Sequence, residues 1–354
     1  MPEESQKRER HIPLVLVETE DLPRDDWLNY RRQGIGGSDV AAIMGVSPFR
    51  TARDIYYDKL NIAAVEPDDS NWVALEVGHL LEDLVSRIFQ KKTGFRVYQI
   101  KKMFYHPNHK FMLADVDYFV ELPDGSTAIL EIKTTNYNAK DNWWMGEHEI
   151  VPEYYECQGR HYMAVMDVDR VFFCCLYGNT EDEVIIRQLS RDVAIEAEMI
   201  YLEQEFWMEN VQKKVPPAYQ EDGDLVMDSI RKYGALADEN APAVTLDLDQ
   251  GSVLAQYIQL QEQKSRCDAE SRRLESTMKR MRGQIVSAMG SSCKAMCRQD
   301  GQDYTVTYNP VRRTEVSKDN LLRLQLSHPE IYDEYVTVSE YRRFQVKAKE
   351  VKAA

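Results

Sequence analysis

Apolar residues recur along this chain in two periods, and the switches between them outline its elements. Val77, Leu81, Leu84, Val85 and Ile88 stand at one-face helical spacing, predicting a helix over about residues 71–92 that Gly94 ends. Glu82 lies at the edge of that apolar arc, beside the core rather than squarely in solvent. The pattern then shortens to strand period: FRVYQIKKMFYH, FMLADVDYFVEL and STAILEIKTT read as a meander, with Pro123-Asp124-Gly125 turning the last two into a hairpin. Helical spacing returns over about 152–165. The buried-looking strand VFFCCLYG, the strand VIIRQL and a helix over about 191–213 follow, and Pro216-Pro217 closes the unit.

The flanks read differently. A polar arm runs to about Pro23, after which residues 25–30 lead into GIGGSDVAAIMG, where Ser38 can cap a short helix that Gly45 stops. Residues 218–250 are acidic, sparsely apolar and without clear period, as in a linker or a loose cover. Residues 252–289 form a charged helix with Cys267, Leu274, Met278, Met281 and Ile285 at three-or-four spacing, as in a helical hairpin or coiled-coil seam. CKAMCRQDGQDYTVTY then reads as a hairpin turning at Asp300-Gly301. The expected organisation is an arm at 1–23, a core at 24–215, a linker at 216–251 and a helix-hairpin extension at 252–354.

With 43% hydrophobic and 29% charged residues the chain has the balance of a globular protein. MPEESQKRER lacks the apolar core of a secretory signal, and no uncharged apolar stretch approaches the roughly 18 residues of a membrane span, so a cytoplasmic protein with no membrane partner is expected. Six cysteines without a CxxC pair read as reduced thiols, and no zinc or iron–sulfur cluster is expected. The net charge of −15 argues against a protein that coats DNA indiscriminately, since nonspecific affinity comes mainly from cations on phosphates. It leaves room for an enzyme whose clustered carboxylates hold metal. Residues 252–316, with eleven Lys/Arg against seven Asp/Glu, differ in charge from the acidic remainder.

The turn at Leu122–Ser126 fixes a register. A type I turn with Gly125 left-handed sets Leu122 opposite Ser126, which places Asp117 opposite Glu131 and Asp115 opposite Lys133 on one sheet face. Two carboxylates that close repel unless something positive lies between them. Mg²⁺ suits the place, because it takes oxygen ligands and keeps waters. A lysine two residues after a ligand shares its face and can orient a water or neutralise charge on phosphorus. The plain alternative is a solvent-facing hairpin with ordinary cross-strand ion pairs.

Asp117, Glu131-Ile132-Lys133, the helical Glu82 and the later Gln158 and Tyr162 together resemble the PD-(D/E)XK nuclease superfamily, specifically the YqaJ-like phage recombinases related to lambda exonuclease. GIGGSDVAAIMGVSPF resembles that family's N-terminal signature, and HPEIYDEYVTVSEYRRFQVK resembles the tail of its phage-type members. The resemblance implies a restriction-endonuclease-like α/β core, a central mixed sheet flanked by helices, with a C-terminal helical and β-hairpin extension. It implies metal held by Asp117, Glu131, Glu82 and the Ile132 carbonyl, with Lys133 acting on the water or scissile phosphate. Gln158 and Tyr162 would support the site or touch DNA, and Ser38 with Arg31, or its rival Arg32, would hold a 5′-phosphate. Asp115 competes with Asp117 as the ligand; Asp117 is favoured because it faces Glu131.

The activity so implied is a Mg²⁺-dependent exonuclease, with Mn²⁺ as substitute, working 5′→3′ on double-stranded DNA ends in phage recombination. A RecT-like annealing protein and a ring-forming homo-oligomer are the implied partners. Two alternatives stand beside it: a structure-specific endonuclease on the same core, and a non-catalytic DNA-binding or assembly subunit. Several residues carry two readings. Trp143-Trp144 is either core cover or a stacking surface for a base. Lys279, Arg280, Arg282, Arg312 and Arg313 either track phosphates or form a solvated face. His161 is read as outside the chemistry.

Overall fold

The computed structural model describes residues 10–65, 72–234, 240–312 and 316–337. The chain divides into two compact units, Met1–Leu236 and Ala237–Ala354. The first unit runs β1 (Leu14–Glu18), α1 (Arg24–Arg31), β2 (Ile35–Gly36), α2 (Gly37–Ile43), α3 (Ala52–Lys59), α4 (Trp72–Thr93), β3 (Arg96–Tyr98), β4 (Lys102–Tyr105), β5 (Met112–Ala114), β6 (Tyr118–Glu121) and β7 (Thr127–Thr134). After a 3₁₀ turn come β8 (Trp144–Met145), β9 (His148–Glu149), α5 (Glu153–Met166), β10 (Arg170–Leu176), β11 (Val184–Ser190), α6 (Val193–Glu205), a π-helical segment Phe206–Gln212 and α7 (Gly223–Tyr233).

The central sheet is mixed, in the order β11-β10-β7-β6-β3, with β7 and β10 parallel and joined through α5. Alternation along β7 sorts its side chains. Ala128, Leu130 and Ile132 pack with Val85 and Phe89 of α4 on one face, while Ile129 packs with Met163 and Phe173 on the α5 face. The fold is therefore the expected mixed α/β sheet flanked by helices. The expected hairpin register also holds: the Leu122 N–H donates to the Ser126 carbonyl at 2.9 Å, Gly125 has φ +79°, and Tyr118 faces Leu130.

The expected meander holds as consecutive antiparallel neighbours, β3 with β6 and β6 with β7, but it does not stay in one sheet. FRVYQIKKMFYH and FMLADVDYFVEL form one ribbon shared between two sheets: β3 and β6 pair in the central sheet, β4 and β5 in a four-stranded sheet of order β1-β4-β5-β2. Between the halves the pairing slips by one residue, from Tyr98 opposite Phe119 to Phe104 opposite Ala114. Strands that switch sheets turn such corners through irregular residues. Here the corner comprises residues 99–101 and 115–117, so Asp115 leaves the line that would set it opposite Lys133. The polar arm is also corrected in part, since its LVLVE run forms β1 against β4.

Within GIGGSD, α2 is capped at Gly36, whose N–H donates to the Asp39 carboxylate at 3.0 Å; Ser38 sits exposed one residue past the helix start and is not the cap. The glycines serve close approach. A Cβ on Gly37 would lie 2.6 Å from the Tyr162 ring and 3.0 Å from Gln158 Cγ, so α2 lies directly on α5. Residues 218–250, expected as a linker or loose cover, contain α7, whose buried Ser229 donates to Asp54 at 2.7 Å. Buried His161 pins α5, with Nδ1 at 3.0 Å from both Glu203 oxygens and Nε2 at 2.8 Å from the Leu113 carbonyl. Trp143 is buried against Tyr155 and Phe173, which rules out its role as a base-stacking surface, and the Arg187 guanidinium covers Trp144.

The second unit contains α8 (Leu248–Met289), the antiparallel hairpin β12 (Lys294–Gln299) and β13 (Gln302–Thr307) turning at Asp300-Gly301, then α9 (Lys318–Ser327) and α10 (Pro329–Tyr335). Arg313 and residues 338–347 of the tail motif lie outside the described residues.

Gly37→Ala tests the α2–α5 contact. The added methyl has to displace the Tyr162 ring, and overpacking of this kind costs about 1–3 kcal/mol. Urea unfolding should show a lower midpoint with an unchanged slope.

Candidate active site

The parallel pair β7–β10 and the corner at residues 115–117 bring the predicted acids together. Glu131, fully buried, points to the α5 face. One of its oxygens, Oε2, accepts from Lys133 Nζ at 3.0 Å and Gln158 Nε2 at 2.8 Å. The other, Oε1, is buried with no hydrogen-bond partner. Asp117 Oδ2 accepts from the Ile132 N–H at 2.9 Å, fastening this acid to the strand that carries Glu131. The Gln99 side chain donates to the Asp117 carbonyl at 3.2 Å. Tyr162 is buried beside the same carboxylates, and Lys133 Nζ stands 5.2 Å from the centre of the Tyr155 ring.

Electrostatics follow from burial and like charge. Burial first, and Asp117 next, push the Glu131 carboxyl up to about 8, against the pull of Lys133. Burial likewise raises Asp117, against Lys133 and the Ile132 N–H. Burial disfavours the Lys133 ammonium, yet Glu131, Asp117 and Tyr155 together outweigh it and raise its pKa. Glu82 is raised by burial and then by Asp117; its Oε1 lies 3.3 Å from His79 Nδ1. Asp115 is raised by burial while accepting from Trp27 Nε1 at 2.7 Å.

A cleft of about 530 Å³ opens onto this cluster, and Asp115, Asp117, Glu82, Tyr162, Ser38 and Arg31 all line it. Its outer wall holds a second network. Arg31 binds Asp39, donates to Ser38 Oγ at 2.9 Å and approaches Asp58 at 3.3 Å. The fully buried Lys59 ammonium lies 2.6 Å from Asp39 Oδ2. Burial alone would raise Asp39; Lys59, Arg31 and Arg50 overcome it and hold the carboxyl far below its ordinary value. Arg32 instead turns to Asp58, at 3.5 Å, and does not line the cleft. Asp39, Lys59, Trp27 and Lys101 were not singled out in the sequence. Asp39 was findable as the third helical residue after Gly36, the place of a capping carboxylate, whereas Lys101, another residue of the cleft lining, carries no local signal.

Among the described residues no three His, Cys, Asp or Glu side chains gather closely enough to grip a metal ion in this arrangement. The donor set nonetheless fits a hard cation: an orphaned carboxylate oxygen on Glu131, an adjacent carboxylate on Asp117, and a third acid, Glu82, on the cleft wall.

A mixed sheet between helices that presents an acid and a lysine from β7 and a second acid from the corner just before β6 has the build of the acid-and-lysine α/β class to which the sequence pattern pointed. Residues 26–169 match the model of the YqaJ-like viral recombinase domain. The chain is 29% identical over 337 residues to the Bacillus subtilis (strain 168) protein called "Uncharacterized protein YqaJ", covering 94% of this chain and 97% of the relative. Among solved structures it resembles the alkaline exonuclease LHK-Exo of Laribacter hongkongensis, with 20% identity, 54% of this chain, 94% of that one and a TM-score of 0.44. A phage related exonuclease from Haemophilus somnus 129PT gives 12% identity, 53% and 99% coverage and a TM-score of 0.37.

The raised carboxyl of Glu131 has a measurable sign. Between its ordinary 4.5 and about 8 the folded chain holds a proton that the unfolded chain releases. Its contribution to stability is therefore complete below 4.5 and lost as the pH rises through 8. Thermal melts in EDTA should show a Tm that falls across this window, by about 2–4 °C per kcal/mol. Glu131→Gln should flatten that slope; an equally steep fall in the variant would contradict this origin.

Proposed function

We propose that this protein is a divalent-metal-dependent deoxyribonuclease that hydrolyses linear double-stranded DNA from its ends in the 5′→3′ direction. The observation that carries the reading is the orphaned, buried Glu131 Oε1 beside Asp117, with Lys133 on the same carboxylate. Asp117, Glu131, the Ile132 carbonyl and Glu82 would hold Mg²⁺, or Mn²⁺ in its place. The bound ion would supply polarisation of the scissile phosphate and of an attacking water.

The chain's own groups account for the rest. Gln158 and the Ile132 N–H orient the two acids, leaving one Glu131 oxygen free. Lys133, held charged by Glu131 and Asp117, is the cation nearest the acids and would neutralise charge building on the phosphate. Arg31 and Ser38, hydrogen-bonded to each other in the same cleft, form the pair suited to a terminal 5′-phosphate, an end requirement that favours an exonuclease over an endonuclease. Arg32, engaged with Asp58, is set aside for this role. A RecT-like annealing protein receiving the exposed strand, and assembly of copies into a ring, complete the reading.

The test is digestion of a linear duplex 5′-phosphorylated on one strand, in Mg²⁺ or EDTA. The wild type should degrade the phosphorylated strand only with metal. Lys133→Ala should lower the rate by about 10²–10³-fold, and Ser38→Ala should erase most of the preference for the phosphorylated end. A wild type that binds the duplex with Mg²⁺ present and leaves it intact would turn the reading to a non-catalytic DNA-binding subunit.

A further inference from the structure

Helix α8 spans 42 residues, about 63 Å at 1.5 Å per residue, and none of its residues is buried. Its apolar positions are nevertheless ordered. Val253, Leu260, Cys267, Leu274 and Met281 fall seven apart, and between them runs a second seven-residue row, Tyr257, Met278 and Ile285, whose middle places are the polar Lys264 and Ser271. The two rows alternate at spacings of four and three over five heptads, the pattern of a coiled-coil seam. Along it Val253 is 66% exposed, Leu260 63%, Leu274 58% and Met278 67%. The hairpin residues Val306 and Tyr308 flank a shallow hollow of about 290 Å³ at the C-terminal end of the seam, yet Met281 and Ile285 there stay about half exposed.

We propose that the seam of α8 is an interaction surface for α8 of a second copy of this chain, packed antiparallel. Length selects the occupant first. Among the described residues the next longest helix, α4, has 22 residues and already packs Val85 and Phe89 into the core, so the chain offers no helix to match five heptads. Charge and polarity select the orientation. A parallel pair stacks Lys264 on the partner's Lys264 inside the seam, like charge on like charge. The antiparallel alignment that overlaps residues 253–285 fully sets Val253 against the partner's Ile285 and Leu260 against the partner's Met278. It also sets Lys264 against the partner's Leu274 at the level of the partner's Glu275, and the small Cys267 against the partner's Ser271. Every large apolar residue of the seam then meets an apolar stem or side chain. The inference is independent of the nuclease reading.

The test uses the full chain. Light scattering after size exclusion should give at least two copies for the wild type, and half that mass for Leu274→Glu/Met278→Glu. Both substituted positions are exposed within the chain, and circular dichroism should show the same helix content. In a Cys293→Ser/Cys297→Ser background, mild oxidation should leave the chains uncrosslinked, while adding Ser271→Cys should yield a covalent dimer through Cys267. A monomeric wild type, or an unchanged mass in the double glutamate variant, would overturn the second copy as occupant. Crosslinking through Cys267 alone would overturn the antiparallel orientation.

Discussion

Two carboxylates held side by side in a buried setting dominate this structure. Like charges at such proximity, away from water, disfavour ionisation of both, and everything around Glu131 and Asp117 answers that constraint. A lysine, a glutamine and a backbone amide arrive from β7 and α5, each offering protons to oxygen. The glycine contact that sets α2 against α5 holds Gln158 and Tyr162 in position behind the acids. A fold optimised for stability alone would have little use for this arrangement, since breaking or unbalancing buried charge is destabilising.

The sequence disclosed the centre better than the rim. The hairpin register could be counted because Pro123-Asp124-Gly125 specifies one turn geometry; the pairing carries it to Tyr118 opposite Leu130, and the next residue, Asp117, is tied to the facing strand through the Ile132 N–H. The same counting failed two residues on, at Asp115, because a bulge is a tertiary event: nothing in ADVDY states that the ribbon must divide between two sheets there. Helix α4 was legible from its period, and α7 was overlooked because its eleven residues are a short run inside an acidic stretch, although Val226, Ile230 and Tyr233 stand at helical spacing.

Ser38 illustrates a subtler limit. A serine before a helix invites a capping assignment, but a carboxylate three residues after a glycine competes for the same amide, and Asp39 wins because its charge is fixed in place by Lys59 and Arg31. Trp143 was ambiguous in sequence for a different reason: an aromatic pair covers a core or meets a ligand with the same composition, and only packing against Phe173 and Tyr155 decides between them.

The network behind Arg31 has a thermodynamic consequence of its own. A free arginine at a cleft mouth forfeits rotamer freedom whenever it grips an anion, about 0.5–1.5 kcal/mol for such a side chain. Arg31 surrenders that freedom during folding, because Asp39 and Asp58 already hold its guanidinium, and Asp39 is itself locked by a fully buried lysine. The arginine thus behaves as a rigid part of the wall. Any group that came to bind there would meet a side chain whose rotamer is already fixed, and the entropy loss would fall on the visitor rather than on the protein.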